Sequence, residues 1–121
     1  MTEATRGSDA ERMAAGMLAD AGYRIIATNF RSRLGEIDIV ALTDEIIVFV
    51  EVKQRTGGRY GRAEEAVDSA KIARILQTAD LFIAEHPEHS ERIWRLDLVA
   101  ITLNRGGAVE RLEHIENLIV D

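Results

Sequence analysis

Apolar side chains along this chain repeat at two periods, and the switches between them mark out the elements. Ala10, Met13, Ala14, Met17, Leu18 and Ala21 recur every three or four positions, the stripe of an amphipathic helix that Gly22 ends. Ser8-Asp9-Ala10-Glu11 has the spacing of a capping box, which predicts a helix start at Ser8 and leaves residues 1–7 as a small, polar, disordered tail. Tyr23 to Phe30 reads as a strand, with Arg31-Ser32-Arg33 as a basic turn. Residues 35–55, GEIDIVALTDEIIVFVEVKQR, read as two strands joined by a tight turn at Thr43-Asp44-Glu45. The second of these, Ile46 to Gln54, is apolar on both faces, as a central sheet strand would be. A Gly- and Arg-rich loop, TGGRYGR, follows from Thr56 to Arg62. Asp68 or Ser69 then caps a second helix with the stripe Ile72, Ile75, Leu76, Ala79, Phe82 and Ile83, which stops before Pro87. Arg92 to Leu103 reads as a strand in which Trp94 alternates with Leu96 and Leu98, a core pattern. Asn104 to Gly107 is a turn and Ala108 to His114 a last strand. The order αβββαββ predicts an α/β fold, one mixed sheet flanked by helices, forming a single domain over residues 8–121.

The second strand of the hairpin breaks its own pattern. It ends in Glu51 and Lys53, two residues apart and so on one face. A charge at the end of a buried strand is costly unless it is paired or binds a metal. With Asp44-Glu45 as the hairpin loop, Asp38 lies opposite Glu51 and Glu36 opposite Lys53. Directly opposed side chains have Cβ atoms roughly 4.5–5.5 Å apart on the same face. A three-residue loop would put Asp38 and Glu51 on opposite faces, so the length of the turn decides whether they meet. Two carboxylates that close repel, and a divalent cation relieves them. Donors that are all oxygen favour Mg²⁺ or Mn²⁺. The ammonium of Lys53 would then hold a phosphate or orient a water. The same residues also admit a plainer arrangement, a solvated strand end or a salt bridge from a carboxylate to Lys53 or an arginine.

Composition narrows the chemistry. With no cysteine, disulfides, thiolate nucleophiles and Cys-ligated zinc are excluded. No Ser/His/Asp arrangement and no Walker-type glycine loop is present. His86 and His89 flank Pro87 in a loop context, which argues against a metal site there. The longest aliphatic or aromatic run, Ile46 to Val50, is far too short to span a membrane. The N-terminus lacks a basic segment followed by an apolar one, so no secretory signal and a cytoplasmic location are expected.

A net charge of −6 speaks against a nucleic-acid partner, but its distribution softens that. Between Gly22 and Arg62 the cations Arg24, Arg31, Arg33, Lys53, Arg55, Arg59 and Arg62 outnumber the acids Glu36, Asp38, Asp44, Glu45 and Glu51. A locally basic face on an acidic protein is compatible with salt-sensitive phosphate binding. Arg31, Arg33, Arg55, Arg59 and Arg62 are the candidate phosphate contacts, since a guanidinium grips phosphate bidentately. Lys71, one turn from Arg74 on the second helix, faces the same groove or solvent.

Asp38 followed by Glu51-Val52-Lys53 resembles the Asp…(Asp/Glu)-x-Lys signature of the restriction-endonuclease-like nuclease superfamily. GEIDIVA followed by VFVEVKQR resembles, more closely, the YraN-like family, which is similar to archaeal Holliday-junction resolvases. The resemblance runs from the first helix (SDAERMAAGMLADAGY) to the late strand (RLDLVAIT). It implies a restriction-endonuclease-like fold and a metal-dependent endonuclease acting on DNA, branched or otherwise structured DNA included. In the mechanism that goes with it, one or two Mg²⁺ lie between Asp38, Glu51 and the carbonyl of Val52, and Lys53 sits beside the attacking water. Glu11 matches an acidic position on the family's first helix, although the capping box already accounts for it. Glu36 and Asp97 are expected to be structural. The related resolvases act as dimers, so the resemblance implies a homodimer. Two other classes fit the same residues: a module that binds nucleic acid without cutting it, and a protein-interaction subunit of a DNA-processing assembly that keeps the motif as a relic.

Overall fold

The structure, a computed structural model, describes residues 3–57 and 67–118, with side chains from residue 9 onward. Its frame is set by the two-residue turn Asp44-Glu45. Asp44 takes a φ of 48°, a left-handed conformation that Asp tolerates better than most residues. Thr43 therefore faces Ile46, and the pairing runs back in the expected register to Ile39 and Val50. The elements are α1 (Glu3–Asp20), β1 (Arg24–Ser32), β2 (Gly35–Thr43), β3 (Ile46–Thr56), α2 (Ser69–Glu85), β4 (Ile93–Leu103) and β5 (Val109–Ile115). A single 3₁₀ turn, Pro87–His89, links α2 to β4. The sheet order is β1-β2-β3-β4-β5. β3 and β4 are parallel, joined through α2, and every other neighbouring pair is antiparallel. The expected α/β order is present, a mixed five-stranded sheet with a helix on each face.

Helix α1 begins at Glu3, upstream of Ser8. The Ser8–Glu11 pattern lies inside the helix and does not open it, because good helix formers such as Glu3, Ala4 and Arg6 carry the helix further back. Its far end closes as the sequence predicts. Gly22 adopts a φ of 99°, and the N–H groups of Gly22 and Tyr23 bond to the carbonyls of Ala19 and Leu18 at 3.0 and 2.9 Å, a Schellman cap. Small residues on the inner stripe bring α1 close to the sheet. Ala10, Ala14 and Leu18 pack on Ile39, Ala41, Val48, Val50, Val99 and Ile101. On the other face Ile75, Ala79 and Phe82 of α2 pack on Val40, Leu42, Ile47, Phe49 and Leu96. Phe82 meets Phe30 and Phe49 edge-on, with ring centroids 5.1 and 6.0 Å away. Trp94 joins this side as expected, 5.3 Å from Phe49.

The glycine that opens β2 has a packing reason. A Cβ on Gly35 would stand 3.1 Å from Thr78 Oγ1 and 3.6 Å from the Arg74 carbonyl. Thr78 is fully buried and its hydroxyl donates to Arg74 O at 2.8 Å, so it has little room to step aside. The start of β2 therefore lies directly on α2. That contact fixes where α2 sits over the sheet and, with it, which α2 residue reaches the end of β3.

Candidate active site

Pairing between β2 and β3 stops at Ile39 and Val50. One residue further on stand Asp38 and Glu51. The Asp38 carboxylate takes up a backbone donor of β3, with Val52 N–H donating to Asp38 Oδ2 at 2.7 Å. Glu51 is 5% exposed although it carries a carboxylate. Burial, then the charge of Glu51, push the Asp38 carboxyl up to about 7, against the opposing pull of the Val52 bond. A pair of acids this close holds more negative charge than its surroundings favour.

Cations answer that charge from two elements. Lys53 lies two residues beyond Glu51 on β3 and is half-buried. The other comes from α2. Asp68 caps this helix, its Oδ1 accepting the Lys71 N–H at 2.8 Å. The cap fixes the Lys71 backbone in the first turn, and its Nζ reaches to 2.5 Å from Glu51 Oε2. Burial alone would lower the Lys71 pKa, but its bond to Glu51 and the Glu51 charge outweigh burial and raise it.

β1 and α1 complete the site. The β1–β2 register, Thr28 with Ile39 and Phe30 with Ile37, puts Asn29 opposite Asp38. Asn29 is left-handed, with φ 54°. Ile37 packs on the α2 side and Ile39 on the α1 side. The ordinary alternation of a strand, in which residues two apart share a face, therefore slips at Asp38 beside the left-handed Asn29. Asn29 Nδ2 donates to Glu11 Oε1 at 3.2 Å, which holds the α1 carboxylate at this edge, where its charge acts on Asp38 and Arg31. Glu11 is thus held by a tertiary bond in mid-helix and not by a capping box. Asn29→Gly keeps a residue at home in this conformation, whereas Asn29→Ala does not. Ala is expected to lower stability by about 1 kcal/mol more than Gly does, read from urea unfolding. Equal losses would mean that the side chain of Asn29, and not its backbone shape, is what the fold uses.

The remaining candidates fall in different places. Glu36 was expected opposite Lys53, but it sits beyond the end of the β2–β3 ladder and pairs with Arg31 at 2.8 Å on the exposed β1 side. Arg31 lies in β1, and the turn is Arg33-Leu34, with Arg33 exposed. Arg55 is held against the sheet, Nε donating to Thr102 Oγ1 at 3.2 Å and Nη2 lying 3.9 Å from Glu113 Oε1. Arg59 and Arg62 lie outside the described residues. His86 Nδ1 lies 2.9 Å from the Phe82 carbonyl with its ring stacked on Phe82, and His89 Nδ1 accepts from Arg92. Asn29 and the reach of Lys71 to Glu51 were not foreseen. Pairing β1 against β2 in the sequence would have placed Asn29 beside Asp38, whereas the reach of Lys71 depends on how α2 docks.

Among the described residues no three Asp, Glu, His or Cys side chains converge as a cage for a metal. The donor set is the Asp38–Glu51 pair with neighbouring backbone oxygens. Such a set does not suit zinc, but it suits Mg²⁺, which keeps several waters and needs only one or two carboxylates.

Residues 10–101 match the family described as "Uncharacterised protein family UPF0102". Similar curated proteins carry the same family name. One from Roseiflexus castenholzii is 44% identical over 90% of this chain and 88% of its own length. One from Moorella thermoacetica is 41% identical over 96% of both chains. A third, from Caldicellulosiruptor bescii, is 41% identical over 95% of this chain and 93% of its own. The matched region spans the whole Asp38–Glu51–Lys53 site together with Glu11, Asn29 and Lys71. Among the described residues no helix is long and apolar enough to cross a membrane.

Proposed function

This chain belongs to the UPF0102 family, and from that premise we propose that it is a Mg²⁺-dependent endonuclease acting on DNA. The observation that carries the reading is the pair of acids at the end of the β2–β3 hairpin, with Lys71 on Glu51 and Lys53 two residues further along β3. Asp38 and Glu51, with the Val52 carbonyl, would hold the ion. One Asp38 oxygen is already fixed by the Val52 N–H, and the carboxyl also meets that of Glu51. Bound there, Mg²⁺ supplies a Lewis acid and a more acidic water. Lys53 would orient the attacking water or contact the scissile phosphate, its charge offsetting the negative charge that builds on the phosphate oxygens. The exposed Arg33 and the Arg31–Glu36 pair at the β1–β2 turn are the described cations that a phosphate backbone would meet. Branched or otherwise structured DNA is the substrate that the resemblance to resolvases favours, with a homodimer as the working unit and the cytoplasm as its place.

The test is cleavage of linear, flapped and four-way DNA with Mg²⁺ or Mn²⁺, run beside Mn²⁺ calorimetry and a Lys53→Ala control. Metal binding with cleavage that falls about 100-fold or more in the control supports the enzyme. Metal and DNA binding without cleavage would favour a non-catalytic nucleic-acid module. No metal response at all would leave an interaction subunit.

DNA affinity is expected to weaken steadily with salt. Arg33→Ala should reduce the slope of that dependence by about one unit. Arg55→Ala should leave the slope alone and lower thermal stability, because its guanidinium is spent on Thr102 and Glu113. A slope that responds to Arg55 and not to Arg33 would move the DNA to the other edge of the sheet.

A further inference from the structure

We propose that Lys71 is a further substrate-contacting residue whose availability depends on metal: in the metal-free protein its ammonium is the counter-ion of Glu51, a divalent ion displaces it, and it then grips a phosphate oxygen of the DNA. The inference rests on the nuclease reading and deepens it.

The geometry leaves little choice about competition. Lys71 Nζ stands 2.5 Å from Glu51 Oε2. A Mg²⁺ bound to the same carboxylate sits at about 2.0–2.1 Å from its oxygen. Two cations on one carboxylate, in a site where Glu51 is 5% exposed, repel strongly because little water screens them. The divalent ion, with twice the charge and a second carboxylate in Asp38, wins when its concentration is high enough. Lys71 has somewhere to go. Its backbone stays fixed by the Asp68 cap and by the neighbouring Ile72 and Ile75, which pack on the sheet side. Its side chain is 33% exposed, so it already borders solvent beside the site. A lysine set loose there is a point charge on a flexible stem next to the place where a phosphate must come. Lys53 is carried on the strand itself, two residues beyond Glu51. The two lysines then divide the work, Lys53 at the strand end and Lys71 supplied to the backbone only once the ion is bound. Metal thus precedes the Lys71 contact.

The test compares the parent with Lys71→Gln and Lys71→Arg. Mn²⁺ calorimetry on the protein alone is expected to show about tenfold tighter binding for Lys71→Gln and little change for Lys71→Arg, which keeps the competing charge. With Ca²⁺ present to support binding without cleavage, the salt slope for a DNA duplex should fall by about one unit in Lys71→Gln. Without divalent ions the slope should match the parent's. Thermal melting and circular dichroism establish that both variants are folded. Mn²⁺ bound by Lys71→Gln no more tightly than by the parent overturns the displacement, and an equal fall in slope with and without Ca²⁺ overturns the dependence on metal. Failure of the nuclease reading looks different: Mn²⁺ then binds neither protein, which removes both ideas. Binding to the variant alone would uphold Lys71 as the competing ion while leaving the parent without a working metal centre.

Discussion

Asp97→Asn is expected to cost the folded protein about 3–5 kcal/mol, the usual penalty for breaking a buried ion pair from one side. Asp97 has no exposed surface at all. Arg95 on the same strand grips it with two bonds, Nε to Oδ1 at 2.9 Å and Nη2 to Oδ2 at 2.8 Å. His114 Nε2 on β5 lies 2.7 Å from Oδ2, and the Asn117 N–H donates to Oδ1 at 2.9 Å. Arg95 goes on to Tyr23, just after α1, and to Glu116. One carboxylate thus ties the exit of α1 to β4, β5 and the segment after β5. An amide in its place leaves a guanidinium, 16% exposed, with a neutral partner and sets an –NH₂ among donors.

Burial would raise the Asp97 pKa, but its bonds to His114, Arg95 and Asn117 outweigh burial and hold it below its ordinary 3.8. The folded protein therefore binds this proton less readily than the unfolded chain does. The contribution of Asp97 is complete above about pH 4 and is lost as pH falls through its folded value. Urea unfolding at pH 7 should show the full gap between parent and variant, and the gap should narrow below pH 4. Adding Arg95→Met to Asp97→Asn should recover part of the loss, because it removes the stranded charge. A gap under 1 kcal/mol at pH 7 would show that the cluster is not a structural tie.

The part of the molecule closest to local chemistry was the most legible in the sequence. Once the turn is two residues long the register follows by counting, and it holds as far as Ile39 and Val50, one residue short of Asp38 and Glu51. The inner stripes of α1 and α2, the Gly22 stop and the Asp68 cap are likewise local. What escaped the sequence is set by contacts between distant segments. The Ser8–Glu11 capping pattern was a false start, because helix formers upstream extend α1 past it. Alternation along β2 assumed a regular strand, and the left-handed Asn29 on β1 breaks it. Arg55 reads as a free cation until β4 supplies Thr102 and β5 supplies Glu113. Lys71 reads as a candidate phosphate contact facing the groove or the solvent, and only α2, docked through Gly35 and Thr78, brings it to Glu51. Asp97 reads as structural, and so it is, but its partners His114 and Asn117 come from β5 and the segment beyond and were out of reach.

Asp38→Asn is expected to flatten how the metal-free protein responds to pH and to abolish its response to metal. Burial first, and then the Glu51 charge, raise the Asp38 carboxyl from 3.8 to about 7. Between about pH 4 and 7 the folded protein holds a proton that the unfolded chain has released, so stability falls as pH rises through that window. The parent should be roughly 2 kcal/mol less stable at pH 8 than at pH 5 on this account, after allowance for solvent screening at a half-buried site. Asn carries no such proton, so the variant's stability should be nearly flat across the window. At pH 8 it should be as stable as the parent or more so, since its amide oxygen can still accept the Val52 N–H and the repulsion of Glu51 is gone. With only one carboxylate left, Mn²⁺ should raise the parent's melting temperature, by mass action, and leave the variant's unchanged; cleavage should be lost. If Asp38 served only as a salt-bridge partner, the same substitution would lower stability at pH 8, and neither protein would respond to metal. Melting curves at pH 5 and pH 8, with and without millimolar Mn²⁺, separate the two outcomes. A parent that is most stable at pH 8 without metal would refute the account of a strained carboxylate pair.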